Sequence, residues 1–440
     1  MRQMQNSSSS NGCTLRQVHV ANLFNTFNYT IDFDVDVPGN NTRILYGDNG
    51  SGKTTLLTLI YSALSTNHNE GNKTRLSQIP FSLLVITLST NVRIEISKLS
   101  GNAYHYRIYD NDILSFDLVI KSTETNTVKL EDNPEIERLF STLRRLSPDL
   151  LFITDDRQYF TTISQIIKYK SSYLEQPLKP IQSEYIIGLF DPTEEAAPSV
   201  IDRLTKIIRD VCRAQIIERG NFGQRNANQI YLDVIESISS KTFGGTHLYS
   251  KDELISFLRR LIEYSYEAIA IGAIPGVPFS KLEHAIQIAD DDSIPAIAQI
   301  ITPYLNGLEA RIRATKEPVD RITSFVSELN RFYRQKHFAF SLSTGFSVLG
   351  LNDSEMSMNW LSSGEGQLFT VLGTVFLAQD SGGVVLIDEP ELSLNIKWQR
   401  EFVPALKRIN DTPSIQYVLA THSLEILSGH ERAVVPLSSR

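Results

Sequence analysis

Between Gly47 and Thr55 the chain reads GDNGSGKTT, and the residue types there suit one task, holding phosphate. The pattern is G-x-x-x-x-G-K-[ST]. Gly47, Gly50 and Gly52, with Asp48, Asn49 and Ser51 between them, permit a tight loop whose N–H groups surround an anion. Lys53 brings a point charge to β- and γ-phosphates, and Thr54 offers a hydroxyl for Mg²⁺. Thr55 continues into a helix whose dipole adds to both. An apolar run, RILYG, precedes the loop and TLLTLIYSAL follows it with helical character. That strand–loop–helix setting separates the stretch from an accidental Gly-rich turn.

Two further stretches bring acid and base. In GGVVLIDEPELSL a buried apolar strand ends at Asp388 and Glu389, the carboxyl end where α/β sheets place ligands. Neighbouring strand residues face opposite sides, so the two acids need different roles. Asp388 suits Mg²⁺, directly or through water, and Glu389 suits orienting and deprotonating an attacking water. IQYVLATHS ends a second apolar strand in Thr421, His422 and Ser423. A histidine there can reach a γ-phosphate. Alone, His422 would read better as a capping or satisfied histidine, and the DE pair would fit a solvated strand end equally well. Beside the phosphate loop both readings give way.

A fourth stretch, WLSSGEGQ, lies before the apolar helix LFTVLGTVFLAQ. One serine is enough to cap a helix. Ser362, Ser363, Gly364 and Glu365 together leave several backbone N–H groups facing outward, half of an anion site.

The elements that must position these residues are legible from periodicity. LRQVHVANLF, YTIDFDVDV and TRILYG alternate as strands, and the stretch from Phe81 to Leu130 returns as an antiparallel meander punctuated by Asn and Gly. Glu135–Leu146 is helical, and LLFITDDRQYF is a buried strand running into a loop. Residues 160–335 change to helical spacing, broken at DPTEEAAP and IPGVPF. Strands resume at FAFSLSTGFSVLG. The reading is an α/β chain divided into a polar tail over 1–13, an N-terminal lobe over 14–157, a helical insertion over 158–335 and a C-terminal lobe over 336–440.

The chain has 440 residues, net charge −8, and two cysteines, Cys13 and Cys212. Zinc, iron–sulfur and disulfide frameworks are thereby disfavoured, and a reducing cytoplasm fits. Its acidic balance argues against a generally basic, nucleic-acid-coating surface and leaves a local basic groove open. No run of 18 apolar residues spans a membrane, and the polar N-terminus is unlike a signal peptide.

In this order, phosphate loop, LSSGEGQ, DE strand and THS strand, the set resembles the ABC-type ATPase family. The resemblance implies the ABC P-loop fold, a mixed sheet core with an antiparallel β meander and an inserted helical domain, with ATP and Mg²⁺ as ligands. It also implies that Ser362, Ser363, Gly364 and Glu365 form a signature that contacts ATP held by a neighbouring subunit. The spelling LSSGEGQ, IDEPELSL and LATHS is similar to the soluble RecF, SMC and OLD branch rather than to transporter ATPases. Gln158 is the position that would match that family's Mg²⁺ or γ-phosphate sensor, although a surface-loop glutamine fits equally. Asn395 stands where members often carry histidine, which argues against a cross-subunit catalytic role for the position. Arg440 lies 18 residues (440 − 422) after His422, so no fused Toprim nuclease domain is expected. Within the branch the chain looks most like AriA-type ATPases of PARIS phage defence, then the PtuA type of Septu and retron systems. That implies a homo-oligomer with dimeric ATP sites, closing as a dimer or a hexameric ring. It also implies a separately encoded nuclease effector of Toprim or HNH type and a phage-encoded trigger protein. The alternative is a DNA-repair or chromosome-maintenance ATPase that grips DNA, which predicts salt-sensitive DNA binding.

Overall fold

The computed structural model describes residues 13–33, 41–66, 71–99, 102–121, 134–154, 159–161, 199–239, 249–350, 352, 354–378, 383–410 and 415–437. By contact the chain divides into two units, 1–200 with 362–440, and 201–361. Among the described residues no helix is long and apolar enough to cross a membrane.

Two sheets build the first unit. β1 (Leu15–Leu23), β2 (Phe27–Asp32), β4 (Leu83–Leu88), β5 (Val92–Lys98), β6 (Tyr104–Asp110) and β7 (Ile113–Ile120) form an antiparallel sheet in the order β2-β1-β4-β5-β6-β7. Its central strands alternate buried and half-buried positions, as Val92–Lys98 does, the period-two signature of a sheet with one covered face. β3 (Thr42–Tyr46), β8 (Leu150–Ile153), β9 (Tyr159–Thr161), β13 (Gly383–Asp388), β14 (Ile415–Thr421) and β15 (Val434–Pro436) form the other, in the order β15-β3-β14-β13-β8-β9. All its pairings are parallel except β8 with β9. β13 and β14 are buried at every position, which is why they read as unbroken apolar runs. The mixed core sheet and the meander are thus both present.

Helix α1 (Lys53–Leu64) belongs to the core shared by both sheets, and seven of its apolar side chains, Leu56 to Leu64, are fully inaccessible. A helix buried on all sides needs its ends satisfied internally. After it comes α2 (Asn72–Gln78), whose buried Lys73 donates from Nζ to the carbonyls of Ser62 (2.9 Å) and Ala63 (2.8 Å). The Tyr106 hydroxyl donates to Ala63 as well (2.7 Å). The Lys73 amine thus satisfies carbonyls at the C-terminal end of α1, with the Tyr106 and Phe140 rings beside it.

Burial lowers the Lys73 pKa from 10.5 to about 7. Between those values the unfolded chain holds a proton that the folded chain does not, so stability rises with pH. Above pH 7 the expected gain is about 1.4 kcal/mol per unit, absent in Lys73→Met. Urea unfolding of both proteins between pH 7 and 9 checks it, and parallel slopes would refute it.

The remaining elements of this unit are α3 (Pro134–Leu146), α8 (Ser363–Ala378), α9 (Ile396–Ile409) and α10 (Leu424–Leu427). The second unit holds α4 (Val200–Ser239), α5 (Lys251–Ala270), α6 (Phe279–Ile288) and α7 (Ile294–Phe332), as the helical spacing predicts. It also holds β10 (Lys336–Ser341), β11 (Gly345–Gly350) and β12 (Glu355–Met356), which form a small antiparallel sheet. The boundary expected at 335 therefore falls at 361. The reason is tertiary: Asn330 at the end of α7 exchanges two hydrogen bonds with Phe338 of β10 (2.9 and 2.7 Å), and Phe325 meets Phe346 edge-on.

Candidate nucleotide site

The loop after β3 turns on glycines at positive φ, Gly50 at 86° and Gly52 at 81°. Gly52 caps α1 in the left-handed region, where a side chain would add strain. A Cβ at Gly47 would lie 2.8 Å from the Leu437 carbonyl and from Ser51 Oγ. Lys53 is 5% exposed, and its Nζ donates to the carbonyls of Gly47 (2.8 Å) and Asp48 (3.1 Å). Tyr29 donates to the Ser51 carbonyl (2.8 Å). The ammonium therefore lies across the mouth of its own loop. Asp48, Asn49, Gly50 and Thr54 are exposed, Ser51 is buried, and Gly52 and Thr55 are half-buried.

At the end of β13 Asp388 is fully buried. Glu389 then turns at φ 45°, held to β14 by its N–H to the Ala420 carbonyl (2.9 Å). One Glu389 oxygen lies 4.0 Å from Lys53 Nζ and the other 2.5 Å from His422 Nδ1. Burial raises the Glu389 pKa, and the charge of Glu391 adds to that, while His422 and Lys53 pull it back. A carboxylate between a lysine and an imidazole can accept a proton from water.

Lys53, Glu389 and His422 are thus in one line of contact. Gln158 lies outside the described residues. The LSSGEGQ residues lie otherwise. Ser362 and Glu365 form a reciprocal capping box at the start of α8, with Ser362 N–H to the Glu365 carboxylate (2.7 Å) and Glu365 N–H to Ser362 Oγ (3.4 Å). Gly364 packs against the turn after β13, where a Cβ would fall 2.3 Å from the Ser393 carbonyl. Ser363 is exposed. Asn395 accepts from Trp398 N–H (3.0 Å) and so caps α9.

Glu391 escaped the sequence reading. It is 6% exposed and accepts from Thr421 Oγ1 (2.5 Å) and from the N–H groups of His422 (2.9 Å) and Ser423 (3.1 Å). The proline of DEPE, which turns the chain back toward the same strand end, was the available signal.

Residues 19–218 match a protein family described as "AAA domain", and residues 252–428 one described as "AAA domain, putative AbiEii toxin, Type IV TA system". The retron Vc95 probable ATPase of Vibrio cholerae serotype O1 biovar El Tor is 25% identical over 407 residues, 88% of this chain and 67% of that protein. The protein is an ATPase with the ABC-type P-loop fold. Solved structures similar to this ATPase include a Smc head domain with an extended coiled coil bound to the C-terminal domain of ScpA, from Pyrococcus furiosus. It is 12% identical at TM-score 0.40, covering 97% of this chain and 94% of that one. A SmcHead bound to the C-winged helix domain of ScpA is 9% identical at TM-score 0.38, covering 96% and 93%.

The donor set of the ATPase fits Mg²⁺. A wholly buried carboxylate, Asp388, closes β13, and the Thr54 hydroxyl opens α1. These are the oxygen ligands a hard cation takes beside phosphates.

Proposed function

We propose that this ATPase is a homo-oligomeric switch of an anti-phage defence system, of the AriA type, that holds and then releases or activates a separately encoded nuclease. The observation that carries the reading is the contact line Lys53–Glu389–His422, taken with the relative named as a retron ATPase. Residues Gly47 to Thr55 bind the phosphates of ATP. Thr54 and Asp388 would hold Mg²⁺, which would supply positive charge to offset that of the phosphates. Glu389 takes the proton of the attacking water. His422 holds Glu389 and senses the γ-phosphate.

The exposed Ser363, on a helix start braced by its own capping box, supports a composite site in which this face closes a neighbour's nucleotide. Two half-sites that face different directions require association, as a dimer or as a ring built from dimers. Ser363→Arg is expected to spare ATP binding and block hydrolysis. Co-expressed with Lys53→Ala subunits it should regain activity, because one site then pairs an intact loop with an intact signature. Steady-state ATPase on each protein and on the mixture checks this. A mixture as inactive as its parts, in demonstrably mixed oligomers, would overturn the composite site. The defence role is tested by plaquing on cells that carry the gene with its flanking genes. Protection lost on Glu389→Gln supports it, and plaquing equal to that of empty cells across a phage panel removes it.

A further inference from the structure

The hydrogen bonds of Glu391 describe a device distinct from the acid and base already placed. One carboxylate oxygen, Oε1, receives three donors from consecutive residues: the Thr421 hydroxyl, the His422 N–H and the Ser423 N–H. Those residues are the turn that leaves β14 and enters α10. The Ser423 N–H is shared with Thr421 Oγ1 (3.0 Å), and Ser423 Oγ donates to Gln399 of α9 (2.7 Å). These bonds fix the backbone of the turn from which the histidine side chain projects.

The same oxygen lies 3.2 Å from His422 Nδ1, on which Glu389 Oε2 also closes at 2.5 Å. Carboxylates accept and do not donate, so two of them at one ring nitrogen place the proton on Nδ1. Nε2 can then donate to a phosphate oxygen only while it is protonated as well, in the imidazolium form. Glu391 itself stands on the turn Glu389–Leu394, closed by Leu392 N–H to the Glu389 carbonyl (3.2 Å) and Leu394 N–H to the Glu391 carbonyl (2.9 Å). Glu389, just after β13, and the histidine after β14 are therefore joined through the buried Glu391 side chain.

We infer that Glu391 is a positioning residue that fixes the rotamer and tautomer of His422 against Glu389, so that base and γ-phosphate sensor act as one unit. This rests on the roles proposed above for Glu389 and His422. It takes the form of a kcat effect without a KM effect, because Glu391 lies behind the reacting groups. It must also vanish when His422 is absent, since a residue acting through another is coupled to it.

The experiment is a double-substitution cycle on the full chain, read by single-turnover ATP hydrolysis so that rates a thousandfold below wild type remain measurable. Glu391→Ala should lower the rate about 10- to 100-fold, with ATP affinity within about threefold. Glu391→Gln keeps an acceptor oxygen for the three donors and should lose only about 3- to 10-fold. Neither substitution should slow His422→Ala further. A Glu391→Ala rate within twofold of wild type overturns the inference, as does an undiminished factor on the His422→Ala background. If Glu391→Ala fails to fold, Glu391→Gln on the two backgrounds decides by the same criterion. Wild-type rates for His422→Ala and Glu389→Gln would instead remove the underlying assignment, a result separate from failure of Glu391 alone.

Discussion

Glu389→Gln is expected to hold ATP and barely hydrolyse it, with turnover down by about 10²- to 10⁴-fold. The amide preserves the shape of the side chain and its contact distance to His422 and Lys53, while removing the proton acceptor. Because Asp388 is a separate, fully buried group, the capacity to hold Mg²⁺ should survive. ATP-dependent association should stay or increase, since the closed state is no longer emptied by hydrolysis. Phosphate release under steady state, together with retention of labelled ATP after gel filtration, measures both halves. Wild-type turnover would place the base elsewhere.

Lys53→Ala should remove ATP binding itself. The wild-type protein, at ATP one hundredfold above its dissociation constant, is expected to gain about 2.7 kcal/mol of stability. The substitution should erase that gain. Nζ of Lys53 also ties the carbonyls of Gly47 and Asp48 together, so the empty loop loosens as well. Circular dichroism without nucleotide separates the effects: a native spectrum with no ATP-induced melting shift is the expected pair. An unchanged shift in folded Lys53→Ala would refute the role of the lysine.

The residues proposed to meet phosphate are legible because that chemistry demands fixed types at fixed spacing beside strand ends. Gly47 to Thr55, Asp388, Glu389 and His422 all stand where an apolar strand stops, and period and composition mark such places. What the sequence concealed depends on contacts across the fold. Lys73 is a surface residue by type, yet it closes the far end of α1. Ser362 and Glu365 carry the spacing of a capping box, but the same letters serve an anion site, and only the geometry shows that they hold each other. Glu391 has no periodic signal, since its partners lie thirty residues on. The boundary at 361 was hidden for a related reason. FAFSLSTGFSVLG alternates like any strand of the first unit, and nothing local says which helix it covers.

The place of β3 in its sheet has a consequence in time. Both strands that flank it, β14 and β15, come from the last part of the chain. A ribosome that has completed Tyr46 must add 369 residues (415 − 46) before Ile415 emerges, a wait of roughly 20 to 70 seconds at common elongation rates. Throughout that wait the strand leading into the phosphate loop has two open edges, and Leu15 lacks the two hydrogen bonds that Gln416 later supplies. Unpaired edges of this kind invite pairing with other chains. The sheet that carries the phosphate loop therefore cannot close around β3 until β14 and β15 have been made, and ATP cleavage that depends on His422 must wait for them.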